Sequence, residues 1–219
     1  MMRLKSGEKV KNIKLIDIGG AEFDLGSLSG KPYMLSFYRF ASCPFCNLRV
    51  NSLVQRFDEF GEDFTTVAIF NADLEQLALH TEKHQASFPI LADPDGKYYR
   101  KYGIENSVLG FFTGMIMRLP TLLKGMFIKG YLPNLFTGGL TIMPADFLVD
   151  REGIIQEAYY GSDEGDHLDF ETIKKFSLEE DCAGIEKSQG RITTKFDADY
   201  AIFGTFAADI KEEVGMVKL

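Results

Sequence analysis

Cys43-Pro44-Phe45-Cys46 follows directly on the apolar run Tyr33-Met34-Leu35-Ser36-Phe37-Tyr38, and an amphipathic pattern from Leu48 to Phe60 begins at once. A strand that delivers its chain to a C-x-x-C at the mouth of a helix constrains strongly what can be built around it. Proline is favoured at the first helical position, which makes Cys43 the N-cap and Cys46 the third helical residue. Three residues around a helix start set the two alpha-carbons roughly 5–6 Å apart, within disulfide range. Free N–H groups at that end point toward the Cys43 sulfur, and the helix dipole favours negative charge there. Such thiols are more acidic than free cysteine, whose pKa is about 8.5. Arg39 before the pair and Arg49 after it supply positive charge, and Ser42 is the hydroxyl immediately beside Cys43.

Two other readings share this spacing. C-x-x-C is also half of a zinc site, which needs a second pair of ligands. Only Cys182 and three histidines, His80, His84 and His167, remain, and none forms another close pair. Two inert core thiols are the other alternative, because free cysteine packs as a small apolar residue. The strand–turn–helix setting favours redox use, with no metal and no cofactor expected.

A chain of 219 residues accommodates one domain with embellishments and a substantial core. A formal net charge of −8 leaves no basic face to meet phosphates, so no nucleic-acid partner is expected. Met1 to Val10 is mixed and charged, unlike a secretory leader, and no apolar run reaches membrane-spanning length. Three cysteines are too few for a disulfide scaffold, and a cytoplasmic setting is the expectation.

Along the chain, Ile13–Asp17 and Ala21–Leu25 flank Gly19-Gly20 and read as an N-terminal hairpin. Tyr33–Tyr38 is apolar almost without alternation, as expected of a strand covered by helices on both faces. Phe45, Leu48, Leu53, Val54, Phe57 and Phe60 share helical spacing. Phe64–Phe70 reads as a strand and Asp73–Gln85 as a helix capped by Asn71 or Asp73. Phe88–Ala92 reads as a short strand ending in the turn Asp93–Gly96, and Tyr98–Tyr102 as a brief helix stopped by Gly103. Asp146–Asp150 and Ile154–Tyr160 form a hairpin, and Leu168–Phe176 a closing helix. This order predicts an α/β sandwich with a mixed central sheet flanked by helices.

These residues resemble the thioredoxin-fold redoxins, and more closely the peroxiredoxin-like group related to the alkyl hydroperoxide reductase/thiol-specific antioxidant (AhpC/TSA) family. Ser36-Phe37-Tyr38-Arg39 with Cys43-Pro44-Phe45-Cys46-Asn47-Leu48-Arg49 is similar to that group's active-site run. Leu91–Gly96 with Tyr102-Gly103, and Phe147–Ile155, are similar to two later segments of the family, so the resemblance spans about residues 7–178. It implies a thioredoxin-like fold, and a cis bond at Met143-Pro144 whose backbone pairs with substrate beside the thiols. One departure stands out. The family's run Pro-x-x-x-Thr/Ser-x-x-Cys, counted back from Cys46, meets Cys43 at the hydroxyl position and Arg39 at the proline. Counted back from Cys43 it meets Phe40 and Ser36. Dithiol exchange needs none of the missing residues.

The expected layout is a redoxin domain over 1–183, with a helical hydrophobic insertion over about 104–143, and a C-terminal extension over 184–219. Val108–Leu140 carries Arg118, Lys124 and Lys129 and no acidic residue, which suits extra core, a homodimer interface, a partner groove or an anionic membrane surface. His167 is expected to be an exposed loop residue, with a catalytic base role as its alternative, His80 and His84 to lie on a solvated helix face, and Cys182 to be a bystander. The functional expectation is a thiol-dependent oxidoreductase that cycles Cys43 and Cys46 between dithiol and disulfide, reducing disulfides or peroxides. Cys43, as the better exposed N-cap, attacks and Cys46 resolves, although the family resemblance leaves this order open. Arg39, Ser42, Pro44, Arg49, Met143 and Pro144 support them, and an external thiol reductant, thioredoxin-like or small, restores the pair. The alternative is a non-catalytic redoxin scaffold that binds a protein or membrane partner through the insertion.

Overall fold

The computed structural model describes residues 2–81, 84–107, 119 and 141–185. In chain order these give β1 (Lys14–Asp17), β2 (Glu22–Asp24), β3 (Tyr33–Tyr38), α1 (Pro44–Gln55), β4 (Thr65–Phe70) and α2 (Leu74–Thr81). There follow β5 (Ile90–Ala92), α3 (Lys97–Lys101), β6 (Ala145–Val149) and β7 (Ile155–Tyr160). A closing helix, α4, covers 170–180. The chain divides into one unit over 1–180 and a second over 181–219, of which 181–185 are described and helical. The predicted insertion between 108 and 140, Leu119 apart, and the tail from 186 lie outside the described residues.

The strands form one mixed sheet in the order β2-β1-β5-β4-β3-β6-β7. β3 runs parallel to β4, and β4 to β5, while β6 is antiparallel to β3 and β7. All six residues of β3 are buried, as its unbroken apolar run requires of a strand covered on both faces. Alternation then sorts its side chains. Tyr33, Leu35 and Phe37 enter one core with Tyr99, Tyr102 and Phe147, and Met34 and Tyr38 enter the other with Cys43, Cys46, Leu53 and Ile173. The Tyr99 hydroxyl, from α3, donates to the carbonyls of Tyr38 and Ile69 and pins the ends of β3 and β4 side by side.

Two helices are shorter than their patterns suggest. α1 stops at Gln55, and Phe57–Glu59 tightens into a 3-10 turn, because Arg56 grips Glu59 with two bonds of 2.7 and 2.8 Å. α2 is described over Leu74–Thr81, and Gln85, with a positive φ of 51°, is not helical. Asn71 does not cap it; its amide donates to the carbonyls of Asp93 and Pro94 instead. Among the described residues no helix is long and apolar enough to cross a membrane.

Gly103 closes α3 with φ of +71°, and a Cβ there would sit 2.6 Å from the Met2 carbonyl oxygen and 2.8 Å from Arg3 Cα. The N-terminal segment lies over it, tied down by the bond from Leu4 N to the Tyr160 hydroxyl. Gly103→Ala therefore meets both backbone strain and a rigid neighbour. We expect a loss of about 1–3 kcal/mol in urea unfolding, with the m-value unchanged.

Candidate active site

Cys43 is the N-cap of α1, with extended backbone (φ −63°, ψ 118°), and Pro44 opens the helix. The loop before it is fixed by Asn47, whose amide donates to the carbonyls of Ala41 (2.7 Å) and Cys43 (2.9 Å). His84 Nε2 lies 2.9 Å from the Asn47 carbonyl oxygen. His84 is thus buried and structural, contrary to the solvated face expected of it.

Both thiols are fully buried, at 0% exposure, so Cys43 is not the more exposed of the two. The loop Phe40–Ser42 folds over the helix start, and Phe40, Ala41 and Phe45 pack in the same core as the sulfurs. Arg39 serves both. Its backbone N–H donates to Cys46 Sγ at 3.5 Å, and its Nη1 lies 3.7 Å from Cys43 Sγ. Ser42 is buried beside them. Arg49 turns elsewhere, donating to the Leu168 carbonyl at 2.5 Å with its guanidinium 4.1 Å over the Phe170 ring.

The two sulfurs are unlike in acidity. Burial pushes Cys43 up, but the Cys46 thiol bonded to it, the Arg39 guanidinium and the N–H groups of Cys46 and Phe45 outweigh burial and bring it to about 7. Those N–H groups face the sulfur without closing a full capping bond. Cys46 goes the other way. Burial raises it well above 9.0, and the bond and charge of Cys43 add to that. Of the two sulfurs, Cys43 ionises the more readily and Cys46 is the more firmly protonated. Among the described residues no group of three or more His, Cys, Asp or Glu side chains stands where a metal ion would be held.

Met143 and Pro144 are buried, ahead of β6. Their peptide bond is trans, not cis. The backbone here is already committed: Met143 N donates to Glu105 O (3.2 Å), Ser107 N to Thr141 O (2.7 Å), and Gly161 N to Pro144 O (2.9 Å). The N–H expected to meet substrate is taken by the chain's own 105–107 segment.

The sequence did not single out Asp146, and it placed His167 in an exposed loop. Asp146 faces Ser36 across the β3–β6 ladder and is fully buried. Its carboxylate accepts from Ser36 Oγ (2.5 Å), Leu168 N (2.8 Å) and His167 Nδ1 (3.0 Å). Burial alone would raise it, but the His167 charge and hydrogen bond, with Arg49 and Ser36, hold it down at about 2. The His167 side chain is 3% exposed, not an open loop residue. Its loop can approach because residue 161 is glycine; a Cβ there would lie 2.3 Å from the Asp166 carbonyl oxygen. The only sequence signal was an aspartate inside an otherwise apolar hairpin strand, where a buried charge demands a partner.

A match to the AhpC/TSA family extends over residues 6–158. The chain is 28% identical over 102 residues to the thiol-disulfide oxidoreductase ResA of Halalkalibacterium halodurans, covering 46% of this chain and 57% of that protein. It thus spans little more than half the length of that curated relative. Among solved structures, peroxidoxin BcpB from Mycobacterium tuberculosis is similar in fold (TM-score 0.53, 18% identity, 88% of this chain and 98% of that one). So is the thiol peroxidase from Chromobacterium violaceum (TM-score 0.58, 16% identity, 81% and 88%).

The acidities predict how the reduced protein responds to pH. Cys43, lowered to about 7 from 9.0, adds stability that is fully present above pH 9.0 and is lost as pH falls through 7. Cys46, raised above 9.0, adds stability that is present below 9.0 and is lost as pH climbs beyond it. Urea unfolding of the reduced protein should show stability rising between these two values and falling on the alkaline side. Cys43→Ala should abolish the rise.

Proposed function

The chain belongs to the AhpC/TSA family, and on that footing we propose that it is a thiol oxidoreductase cycling Cys43 and Cys46 between dithiol and disulfide. The observation that carries this reading is the unequal pair at one helix start: one thiol acidified beside Arg39, the other held protonated. A thiol of pKa about 7 is roughly half ionised at neutral pH, against about 1% for one near 9. Cys43 thiolate attacks a substrate disulfide; the new bond joins Cys43 to one half, and the other half leaves as thiolate. Cys46 then attacks Cys43, forming the internal disulfide and releasing the second half. An external dithiol or small thiol restores both thiols, in a reducing compartment such as the cytoplasm.

A hydroperoxide is the second substrate class, favoured by the full burial of both sulfurs. Its two oxygen atoms need less room than a disulfide. Cys43 thiolate attacks the terminal oxygen, the O–O bond breaks, and the alcohol leaves; Cys46 then condenses with the sulfenic acid and expels water. The binding-scaffold alternative rests on the insertion, which lies outside the described residues.

Cys46→Ser should accumulate a stable Cys43 mixed disulfide with a small aromatic disulfide, seen as a mass increase removed by dithiothreitol. Cys43→Ser should accumulate much less, because the remaining thiol stays protonated at neutral pH. Equal adducts from both variants would reverse the assigned order, and turnover retained by the double variant would end the redox reading.

A further inference from the structure

Asn47 turns both of its N–H groups on the chain around Cys43. One goes to Ala41 O at 2.7 Å and the other to Cys43 O at 2.9 Å, while the amide oxygen faces His84 Nε2 at 2.9 Å. An amide oxygen only accepts, so His84 Nε2 carries the proton and donates. Turned over, the amide would set its oxygen against two carbonyl oxygens, so one orientation alone satisfies all three neighbours. At 1% and 4% exposure, neither Asn47 nor His84 has bulk water as an alternative partner.

The turn held in this way carries part of the thiol's surroundings. Cys43 N donates to Phe40 O at 3.0 Å, which closes Phe40–Cys43 as one turn. The Arg39 guanidinium lies over the Phe40 ring, 5.3 Å from its centroid, and its Nη1 stands 3.7 Å from Cys43 Sγ. The N–H groups of Phe45 and Cys46 meet the same sulfur from α1. Its donors therefore come from two sides, the turn and the helix. Asn47 joins those sides: its backbone belongs to α1, one helical turn beyond Cys43, and its amide closes on the turn.

We propose that Asn47, its amide oriented by His84, is a positioning residue that holds the Cys43 sulfur where Arg39 and the helix-start N–H groups meet it. This rests on the dithiol reading above and names two residues on which its attacking thiol depends. The bond to Ala41 O fixes the turn ahead of Cys43, and the bond to Cys43 O fixes the residue itself. Together they give the Cys43 side chain one direction relative to α1. Without the amide the turn drifts from the helix, taking Phe40 and the Arg39 guanidinium with it. The ionisable groups against the sulfur, Arg39 from the end of β3 and Cys46 from α1, then no longer converge on it. His84 acts one step further back, by keeping the Asn47 oxygen away from the turn.

The test is an equilibrium titration of thiolate ultraviolet absorbance in the reduced full-length chain, with Cys182→Ser so that the pair alone supplies the thiol signal. The parent's first step should fall at about 7. Asn47→Leu fills the same space without the donors and should move that step up by about one unit, an almost ten-fold loss of Cys43 thiolate at mildly acid pH. His84→Leu should move it in the same direction by less. His84→Gln keeps an N–H for the Asn47 oxygen and should restore the parent's value. A merely structural role lowers the thermal midpoint of these variants without moving the step or separating Gln from Leu. Where Asn47→Leu does not fold, the two His84 variants decide. A parent-like step in folded Asn47→Leu, or equal steps in His84→Leu and His84→Gln, overturns the proposal and leaves the dithiol reading intact. A parent with no step below the ordinary thiol range overturns both.

Discussion

Arg39 is where the site is decided. It stands at the end of β3, just after Tyr38, and offers its amide to Cys46 and its guanidinium to Cys43. Both sulfurs are fully buried, and burial by itself opposes ionisation of either. The outcome depends on how the donors are shared. The guanidinium, two helix-start amides and the Cys46 thiol converge on Cys43 and together outweigh burial, bringing it from 9.0 to about 7 in favour of the thiolate. Cys46 has the Arg39 amide but faces the thiolate it helps to stabilise. A single strand end thus leaves one sulfur readily ionised and the other protonated.

This division depends on the alternation of β3. The odd-numbered side chains, Tyr33, Leu35 and Phe37, fill a core rich in aromatic rings. The even-numbered side carries Ser36 and Tyr38 under the thiols, with Asp146 and His167 completing the polar group. A buried ion pair contributes little to stability over a well-packed apolar substitute and often costs some. Satisfying the Asp146 carboxylate takes a strand hydroxyl, a loop amide and an imidazole. That loop closes only because residue 161 lacks a side chain. So much local specification is what a fully buried carboxylate demands.

The elements were largely legible because their signals are local. Tyr33–Tyr38 forms a strand over the residues its pattern marks, and Pro44 opens α1 as its fixed φ directs. The N-terminal and late hairpins sit where glycine and alternation place them. What escaped is non-local. Asp146 and His167 are 21 residues apart and meet only because the loop folds back over β6. The burial of Cys43 depends on Phe40 and Ala41 lying over it, which a helix-start motif does not encode. The direction of Arg49 depends on Phe170 and Leu168, from a distant segment. The trans bond before Pro144 goes with a backbone already paired to 105–107.

That last pairing bears on how a substrate meets the thiols. An extended peptide gains affinity at a sheet edge through main-chain hydrogen bonds. Beside Pro144 the Met143 N–H already donates to Glu105, and Ser107 N–H to Thr141. A peptide docking there as an added strand must first displace 105–107, exchanging bonds of the same kind and gaining none. Main-chain pairing therefore contributes little to selectivity at this position. Access to two covered sulfurs contributes more, since both are fully buried in a core that includes Phe40, Ala41 and Phe45. Under the dithiol reading, the residues that bury the pair are also the ones that choose among its substrates.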